Sequence, residues 1–416
     1  MFRFLHTADL HLDSPLKGLA SQDDSGAQAL LGASRKAFHS LIDLAIAESV
    51  DFVVIAGDVY DRDWKGYETG LFFKRGMARL HAANIPVYLI SGNHDAASVI
   101  SKKLNLPENV RTFSSRGPET FEPASLPVAI HGMSFPNRAV EENLVPRYPA
   151  PVPGKFNLGL LHTSLAGSEG HDTYAPCTVA DLVAKGYDYW ALGHIHQPQV
   201  VHEDPWIVYP GNLQGRHIRE SGARGCRLVT VDDDSSVSAC AWHSLDVARW
   251  AELKVDLDRV ESLEAVLPRL RSAMGEAVEQ AEDRLLALRL IVEGMTPLHG
   301  FLCSRPDRLE AEVRSIAEDF GEGVVWIERV KLATRPAVTL EELAERDALT
   351  KVVVETTPGT RGVTDLPAEV TEMLNVLPGD VREELGQSWT SDGVAAIYDD
   401  ARALILDRLV AKGGEA

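Results

Sequence analysis

The sequence predicts an α/β layered sandwich that is followed by a small α+β domain and a helical C-terminal tail. In the first half of the chain, short apolar segments alternate with amphipathic segments of helical length, which is typical of a layered α/β domain. Near residue 250 the pattern starts again as a β-α-β-α-β unit. After Pro336 the chain becomes acidic, and its apolar residues take helical spacing.

The first domain is predicted over residues 1–247. Its helix at 34–49 has Ser34 in a capping position and Phe38 and Leu41 on one apolar face. The stretch from 103 to 155 is rich in Pro and Gly, and we expect loops and short strands there. The other predicted elements are strands at 2–6, 52–55, 86–90, 158–161 and 189–192, helices at 67–83 and 179–184, and closing antiparallel strands at 200–209, 226–231 and 237–243.

The second domain is predicted over residues 248–335 and the tail over 336–416. The predicted elements of the second domain are strands at 253–257, 285–292 and 324–332, with helices at 261–280 and 308–319. In the tail, segments 340–352 and 394–410 have amphipathic helical spacing. Such helices suit binding in the groove of a partner, or packing on the protein itself, and the spacing leaves both interpretations open.

Composition restricts the class of protein. A length of 416 residues favours two or three domains. The formal net charge of −20 argues against a protein that coats nucleic acid by bulk attraction, although a cleft with bound cations can be locally positive. No run of about 18 apolar residues occurs, so we expect no membrane span. The four cysteines are scattered without a C-x-x-C pair, which favours a reducing cytoplasm.

Five short polar segments stand where predicted strands end. Ligand sites on open α/β sheets gather at the carboxyl ends of strands, so these segments can converge in space. A lone His or Gly-Asp pair is usually structural, but the whole set in this placement predicts one site. The segments are Asp9-x-His11, Gly57-Asp58-Val59-Tyr60-Asp61, Gly92-Asn93-His94-Asp95, His162 and Gly193-His194-Ile195-His196.

The residue types of these segments suit metal ions. In an extended D-x-H or H-x-H pair both side chains point to the same side of the backbone. Carboxylate, imidazole and amide groups suit Mn²⁺, Fe²⁺ or Zn²⁺ better than Ca²⁺. The candidate ligands are too many for one ion and fit two ions about 3.5–4 Å apart, bridged by a carboxylate. The neighbouring Gly57, Gly92 and Gly193 predict tight turns with unusual backbone angles.

The order of these motifs resembles that of the calcineurin-like metallophosphoesterases. The segments HTADLHLD, AGDVYD, ISGNHD and LGHIHQP are similar to the DNA-repair exonuclease branch of that family, which contains SbcD and YhaO-type proteins. The likeness is strong over residues 1–245, and the second domain takes the position of the family's capping domain. It implies two mixed sheets flanked by helices and two divalent ions, with Mn²⁺ expected first and Fe²⁺, Mg²⁺ or Zn²⁺ as alternatives.

The resemblance also implies a role for each motif residue. His94 would lie beside the scissile phosphate without binding a metal, and Asp95 would orient its ring. The implied ligands are Asp9, His11 and His196 for one ion, Asn93, His162 and His194 for the other, and Asp58 as the bridge between them. The implied partners are DNA, an SMC-like coiled-coil ATPase that docks on the region beyond the capping domain, and a second copy of the chain through the nuclease domain.

Some basic residues outside the motifs are candidates for substrate binding. Arg62 and Lys65 follow the bridging Asp, where they either contact the DNA backbone or form a solvated turn. Arg216 and His217 lie in a Gly-rich loop after the last motif, where they either contact phosphate or belong to an ordinary loop. His6 precedes the site and is expected to be a core residue or to support a ligand.

Taken together, the motifs favour a Mn²⁺-dependent DNA exonuclease and endonuclease that acts in DNA repair with an ATPase partner. The first alternative is the same site acting on a small nucleotide or a phosphoprotein. The second alternative is a subunit that binds DNA or protein without catalysis, which the intact motif set disfavours. Metal analysis and a cleavage assay would separate these alternatives.

Overall fold

The computed structural model describes residues 1–14, 29–61, 67–96, 105–165 and 174–337, together with positions 351 and 372. The predicted tail at 336–416 therefore lies almost wholly outside the described residues, as do Arg62 and Lys65. Within the described ranges, no helix is both long and apolar enough to cross a membrane.

The chain divides into two compact units. Among the described residues, the first consists of those in Met1–Ala251 with Ala281–Ala287 and Gly323–Trp326, and the second of Glu252–Gln280, Leu288–Glu322 and the residues from Ile327 to 337. The predicted domain boundaries at 247/248 and 335/336 remain predictions.

Two six-stranded mixed sheets form the first unit, in the strand orders β12-β11-β1-β2-β3-β4 and β5-β6-β7-β8-β10-β9. This confirms the predicted fold class of a layered α/β sandwich with two mixed sheets. The strands are β1 (Phe2–Thr7), β2 (Phe52–Ala56), β3 (Val87–Ile90), β4 (Val110–Thr112), β5 (Glu119–Phe121), β6 (Val128–Gly132), β7 (Phe156–His162), β8 (Tyr189–Gly193), β9 (Gln199–Glu203), β10 (Trp206–Tyr209), β11 (Gly225–Val231) and β12 (Val237–Ser244). The helices are α1 (Ala33–Ala47), α2 (Tyr67–Ala82), α3 (Asn93–Ala96) and α4 (Val179–Ala184).

The central core of this unit lies between the two sheets. Phe4 of β1 stacks on Phe52 of β2 with ring centroids 5.0 Å apart, and both belong to one apolar cluster with Phe156 and Leu158 of β7. A second cluster joins the outer side of the first sheet to α1 and α2, and a third covers the other side of the second sheet around Trp190. Burial on both faces explains why β2 is a continuous apolar run and why every residue of β7 is buried.

Two local predictions were wrong. The predicted strand at 200–209 is two strands, because a turn at Asp204-Pro205 divides it and β10 pairs in parallel with β8 while it pairs antiparallel with β9. Proline cannot donate to a strand ladder, which is the physical reason for the break. Ser34 does not cap α1, since the N-cap residue is Gly32, and the Ser34 hydroxyl instead accepts from the Asp13 N–H.

The second unit contains most of a three-stranded sheet in the order β13-β14-β15 and three helices. Its Val266 and Leu270 are buried one helical turn apart, Val313 is buried on a second helix, and Arg289 forms a two-pronged ion pair with Glu328. The predicted order is confirmed, with one additional short helix. The elements are β13 (Ala248–Asp256), α5 (Leu263–Gln280), β14 (Leu285–Thr296), α6 (His299–Ser304), α7 (Pro306–Glu318) and β15 (Val325–Pro336).

Candidate metal centre

The predicted site residues converge at the carboxyl ends of strands from both sheets. Strands β1, β2 and β3 run parallel, as do β7 and β8, so the segments that follow them leave each sheet at one edge. The residues that the structure brings together there, with little or no exposure for most of them, are Asp9, His11, Asp58, Asn93, His94, His162, His194 and His196.

The carboxylate of Asp58 lies at the centre of this cluster. Its Oδ2 atom is 3.5 Å from Nε2 of His162, 3.9 Å from Nε2 of His11 and 4.0 Å from Nε2 of His94. Because His11 follows β1 of the first sheet and His162 ends β7 of the second, one carboxylate faces imidazoles from both sheets. This is the position that a bridging ligand requires.

Two further contacts define the sides of the centre. On one side, Nε2 of His11 lies 3.1 Å from Nε2 of His196, and these histidines form a group with Asp9 whose ligand atoms are all within 4.8 Å of one another. On the other side, Nε2 of His162 lies 2.9 Å from Oδ1 of Asn93. Nδ1 of His162 lies 2.9 Å from the Ala56 carbonyl oxygen, so Nδ1 carries a proton and Nε2 is the atom that faces Asp58 and Asn93.

The backbone is unusual at four of the candidate ligands. Asp9, His11, Asp58 and His194 have φ values of 51°, 40°, 53° and 102°, in the left-handed region that non-glycine residues rarely adopt. Each such residue costs of order 1–3 kcal/mol and persists only where surrounding contacts hold it. Here the His194 N–H donates to the Asp9 carboxylate, and the His94 N–H donates to Oδ1 of Asp58. The strain therefore coincides with the candidate ligands.

The three motif glycines serve two different purposes. Gly57 has a φ of 97°, as predicted. Gly92 and Gly193 are not among the positive-φ glycines, and what they provide is space. A Cβ atom at Gly92 would lie 2.2 Å from Oδ1 of Asp58, and one at Gly193 would lie 2.0 Å from the Ala56 carbonyl oxygen. The expectation of unusual angles was therefore wrong for these two positions, where close approach of neighbouring groups explains the residue.

The ring of His94 is held by a residue that the motif analysis gave no role. Nδ1 of His94 lies 2.8 Å from Oδ1 of Asp61, three residues after the central Asp58. The Ser14 hydroxyl donates to the other Asp61 oxygen. The carboxylate of Asp95, which we expected to orient this ring, accepts the backbone N–H groups of Val59, Tyr60 and Gly92. Asp95 thereby supports the turn that carries Asp58, and Asp61 contacts the ring of His94, while the predicted role of Asp95 toward His94 remains a prediction.

Charge is strongly coupled across the centre. Burial alone would raise the pKa of Asp58, but the charge and hydrogen bond of His162 outweigh it and lower the pKa to about 2. Burial would lower the pKa of His162, but Asp58 and Asp9 raise it to about 9. Burial and the nearby Asp58 charge raise the pKa of Asp95 to about 7. Such a site favours a positive charge beside Asp58, and its carboxylates, imidazoles and amide suit a first-row divalent ion.

The comparisons with known proteins agree with this chemistry. The family model for the calcineurin-like phosphoesterases matches residues 2–198, and that for the middle domain of the metallophosphoesterase YhaO matches residues 250–335. The chain is 36% identical over 349 residues to the uncharacterized metallophosphoesterase YhaO of Bacillus subtilis strain 168, and the match covers 82% of this chain and 84% of that protein. It belongs to the calcineurin-like phosphoesterase family.

Two solved structures are similar at lower sequence identity. The crystal structure of TT1561 of Thermus thermophilus is 12% identical, with a TM-score of 0.34, and the match covers 59% of this chain and 99% of that one. A dimetal phosphatase from Danio rerio is 12% identical, with a TM-score of 0.37, and the match covers 56% of this chain and 93% of that one.

As a calcineurin-like phosphoesterase, the protein is a metal-dependent phosphoester hydrolase with candidate ligands for a two-ion site. The family uses divalent metals, which agrees with the donor groups described above. The family expected from the motifs is thereby confirmed.

The predicted substrate-binding residues of this phosphoesterase have different surroundings. Arg62 and Lys65 lie outside the described residues. Arg216 forms ion pairs with two carboxylates. Its Nη2 lies 2.8 Å from Oε1 of Glu220, and its Nη1 lies 3.6 Å from Oδ2 of Asp61. The side chain of His217 is 53% exposed, which leaves it accessible from solvent.

Glu220 is the main residue of the site that the sequence analysis missed. Oε1 of Glu220 lies 2.7 Å from Nδ1 of His196, and the residue is buried. Burial would raise the pKa of Glu220, but its hydrogen bond with His196 and the charge of Arg216 lower it well below its ordinary value. An ionised buried carboxylate thus stands directly behind a candidate ligand. The only local signal was the segment Arg216-His217-Ile218-Arg219-Glu220, in which we considered the basic residues alone.

Proposed function

We propose that this phosphoesterase is a two-metal phosphodiesterase that cleaves DNA, as an exonuclease and endonuclease subunit in DNA repair. The observation that carries the two-metal part is the position of Asp58, whose Oδ2 lies within 4.0 Å of imidazole nitrogens from both sheets. The proposed ligands are Asp9, His11 and His196 for one ion, Asn93, His162 and His194 for the other, and Asp58 for both, with Mn²⁺ as the ion expected first.

Two bound cations would neutralise a phosphodiester and lower the pKa of a bound water so that hydroxide exists near neutral pH. The residues of the chain do the rest. Asp58, buried and ionised, balances the positive charge at the centre. Asn93 and His162, which contact one another, hold one side of the site in a fixed geometry. The buried surroundings exclude bulk water and strengthen these electrostatic interactions.

His94 is proposed to act on the leaving group. Its Nδ1 faces Asp61, so its Nε2 is the atom that points toward Asp58 and the centre. Its side chain is 16% exposed, more than that of Asp58, which places it on the accessible side of the site. From there Nε2 can stabilise charge on the phosphoryl oxygens or donate a proton to the leaving 3′ oxygen.

The proposal of a DNA substrate is supported by the similarity of the motif sequences to the DNA-repair exonuclease branch. Basic residues close to the motifs in the sequence also support it. Exposed His217 and Arg219 lie in the loop that ends at Glu220, and Arg62 and Lys65 follow Asp61 in the sequence. We extend the proposal to an SMC-like coiled-coil ATPase as partner, to a homodimer through the nuclease domain, and to a cytoplasmic location. A partner would supply DNA affinity that a chain with a net charge of −20 lacks by itself.

The test is cleavage of linear double-stranded and single-stranded DNA by the full chain with Mn²⁺, together with bis(p-nitrophenyl) phosphate as a small phosphodiester. Asp58→Asn removes the central charge while keeping the side-chain shape, and Asp283→Asn makes the same change at an exposed turn. We expect DNA cleavage by the wild type and by the Asp283→Asn variant, and none by the Asp58→Asn variant.

Each other outcome has a definite meaning. Hydrolysis of the small diester with both DNA substrates intact, in the presence and absence of a matching ATPase, would overturn the DNA proposal and leave the two-metal site. Equal activity of the Asp58→Asn variant and the wild type would overturn the two-metal proposal itself.

A further inference from the structure

Both carboxylate oxygens of the buried Glu220 accept hydrogen bonds. Its side chain is only 5% exposed, and both oxygens face donors. Oε1 lies 2.7 Å from Nδ1 of His196 and 2.8 Å from Nη2 of Arg216. Oε2 accepts from Nδ2 of Asn212 and from the Arg216 backbone N–H, each at 2.8 Å. The carboxylate is therefore fixed in position, and the ring of His196 is fixed with it.

The main chain at His196 is held in place by the segment of the chain that contains Glu220. The carbonyl oxygen of His196 accepts from the Asn212 N–H at 3.2 Å and from the guanidinium of the buried Arg224. A Cβ atom at Gly211 would lie 2.6 Å from that carbonyl oxygen, and Gly211 has a φ of 72°. The segment from 211 to 224 thus holds both the ring and the main chain of His196.

Two groups compete for Nδ1 of His196. A neutral imidazole carries one proton, on one of its two nitrogens. If Nδ1 carries it and donates to Glu220, then Nε2 has a free lone pair, and that atom faces Nε2 of His11 at 3.1 Å. Nη2 of Arg216 also lies 3.2 Å from Nδ1 of His196. If Arg216 donated there, the proton would lie on Nε2, which could then bind no metal ion.

We infer that Glu220 is a positioning residue that selects the metal-binding tautomer of His196, and that it does so by accepting both the Nδ1 proton and the Arg216 N–H that also faces that nitrogen. The inference rests on the proposed two-metal function. A carboxylate behind a ligand histidine fixes the ring and raises the basicity of its other nitrogen. Arg216 therefore helps to support the metal centre.

The experiment measures Mn²⁺ binding to the full chain by calorimetry and elemental analysis. Glu220→Gln removes the charge and leaves one acceptor oxygen for which His196, Arg216 and Asn212 compete. We expect the affinity for one of the two ions to fall by about 10–100-fold, since loss of a partner behind a ligand has that effect. Glu203→Gln, the same change at an exposed strand end, should bind both ions as the wild type does.

The double variant Glu220→Gln/Arg216→Met distinguishes tautomer selection from simple structural support. Without Arg216 the remaining acceptor oxygen is available to His196, so we expect part of the lost affinity to return. Affinity in Glu220→Gln equal to that of the wild type would overturn the inference. So would a loss that is as large in the double variant as in the single one, because a merely structural role predicts no recovery.

A measurement on the unaltered protein covers the case in which Glu220→Gln does not fold. In the ¹⁵N spectrum of a chain with labelled histidine, the His196 ring is assigned by its disappearance in a His196→Asn variant. We expect it to show a protonated Nδ1, and a protonated Nε2 in the metal-free chain would overturn the inference. Failure of the wild type to bind two ions would instead overturn the proposed function.

Discussion

Nε2 of His11 and Nε2 of His196 lie 3.1 Å apart in the centre of the site. With Nδ1 of His196 donating to Glu220, two ring nitrogens with lone pairs would face each other there unless one of them is protonated. A divalent ion held by both lone pairs would offset this repulsion. The two histidines are therefore suited to bind one ion.

Metal removal is therefore expected to destabilise the protein. A ligand that binds only the folded chain adds about 2.7 kcal/mol at a concentration 100 times its Kd. We expect Mn²⁺ to raise the midpoint of thermal unfolding above that of the EDTA-treated protein, and we expect Asp58→Asn to abolish this shift. Identical midpoints with Mn²⁺ and with EDTA would contradict the prediction.

His94 is expected to serve chemistry and not metal binding. Because Asp61 holds its Nδ1 and Nε2 points to the centre, His94→Ala should lower kcat by about 10²–10⁴-fold while two ions still bind. Asp61→Asn should give a smaller loss of kcat, since the ring remains but its orientation is less fixed. Loss of one ion from the His94→Ala variant, detected by elemental analysis, would place His94 among the ligands.

The buried His6 is expected to make the fold sensitive to acid. Burial lowers the pKa of His6 to about 3, and its nitrogens lie 3.0 Å from the Tyr189 hydroxyl and 3.2 Å from the Leu192 carbonyl oxygen. Because the folded pKa is below the unfolded value of 6.5, the neutral ring stabilises the fold above pH 6.5, and this contribution is lost as the pH falls toward 3.

Replacing His6 should accordingly change both the stability and its pH dependence. We expect His6→Gln to lower the free energy of unfolding at pH 7 by about 1–3 kcal/mol and to make its decline between pH 6.5 and 4 less steep. His81→Gln, at an exposed position near the end of α2, should alter neither quantity. Urea unfolding at a series of pH values measures both, and parallel curves for His6→Gln and the wild type would refute the explanation.

Gly193 is expected to tolerate no side chain. An added Cβ atom would lie 2.0 Å from the Ala56 carbonyl oxygen and 2.9 Å from Nδ1 of His162, which contact each other. Gly193→Ala should therefore destabilise the fold by about 1–3 kcal/mol or more and weaken metal binding. Gly117→Ala, where a Cβ would meet nothing within 4 Å, is the matched control. Equal unfolding midpoints for the two variants would contradict this prediction.

Much of the site could be predicted from sequence because its candidate ligands follow strands. An apolar run that ends in a polar segment is a local signal, and parallel pairing brings such ends to one edge without further information. Asp9, Asp58 and His162 were found in this way, and the sheets that carry them were predicted with small errors at their ends.

The parts that were missed depend on contacts between distant segments. Glu220 lies on a short turn, 24 residues from the His196 that it contacts, and no periodicity connects the two. The contact of Asp61 with His94 joins a loop to the short helix α3 in the same way. For Gly92 and Gly193 the residue type was noticed, but only the packed structure distinguishes a requirement for space from a requirement for a left-handed angle.

The two-sheet origin of the site has a consequence for the newly synthesised chain. The candidate ligands extend from Asp9 to His196, and Glu220 follows them. A nascent polypeptide that has completed only the first sheet's early strands presents Asp9, His11 and Asp58 but lacks the histidine at the end of β7 and the two that follow β8. Hydrolytic competence would therefore arise late in biosynthesis, after both layers have been made and packed, so that incomplete chains are inert.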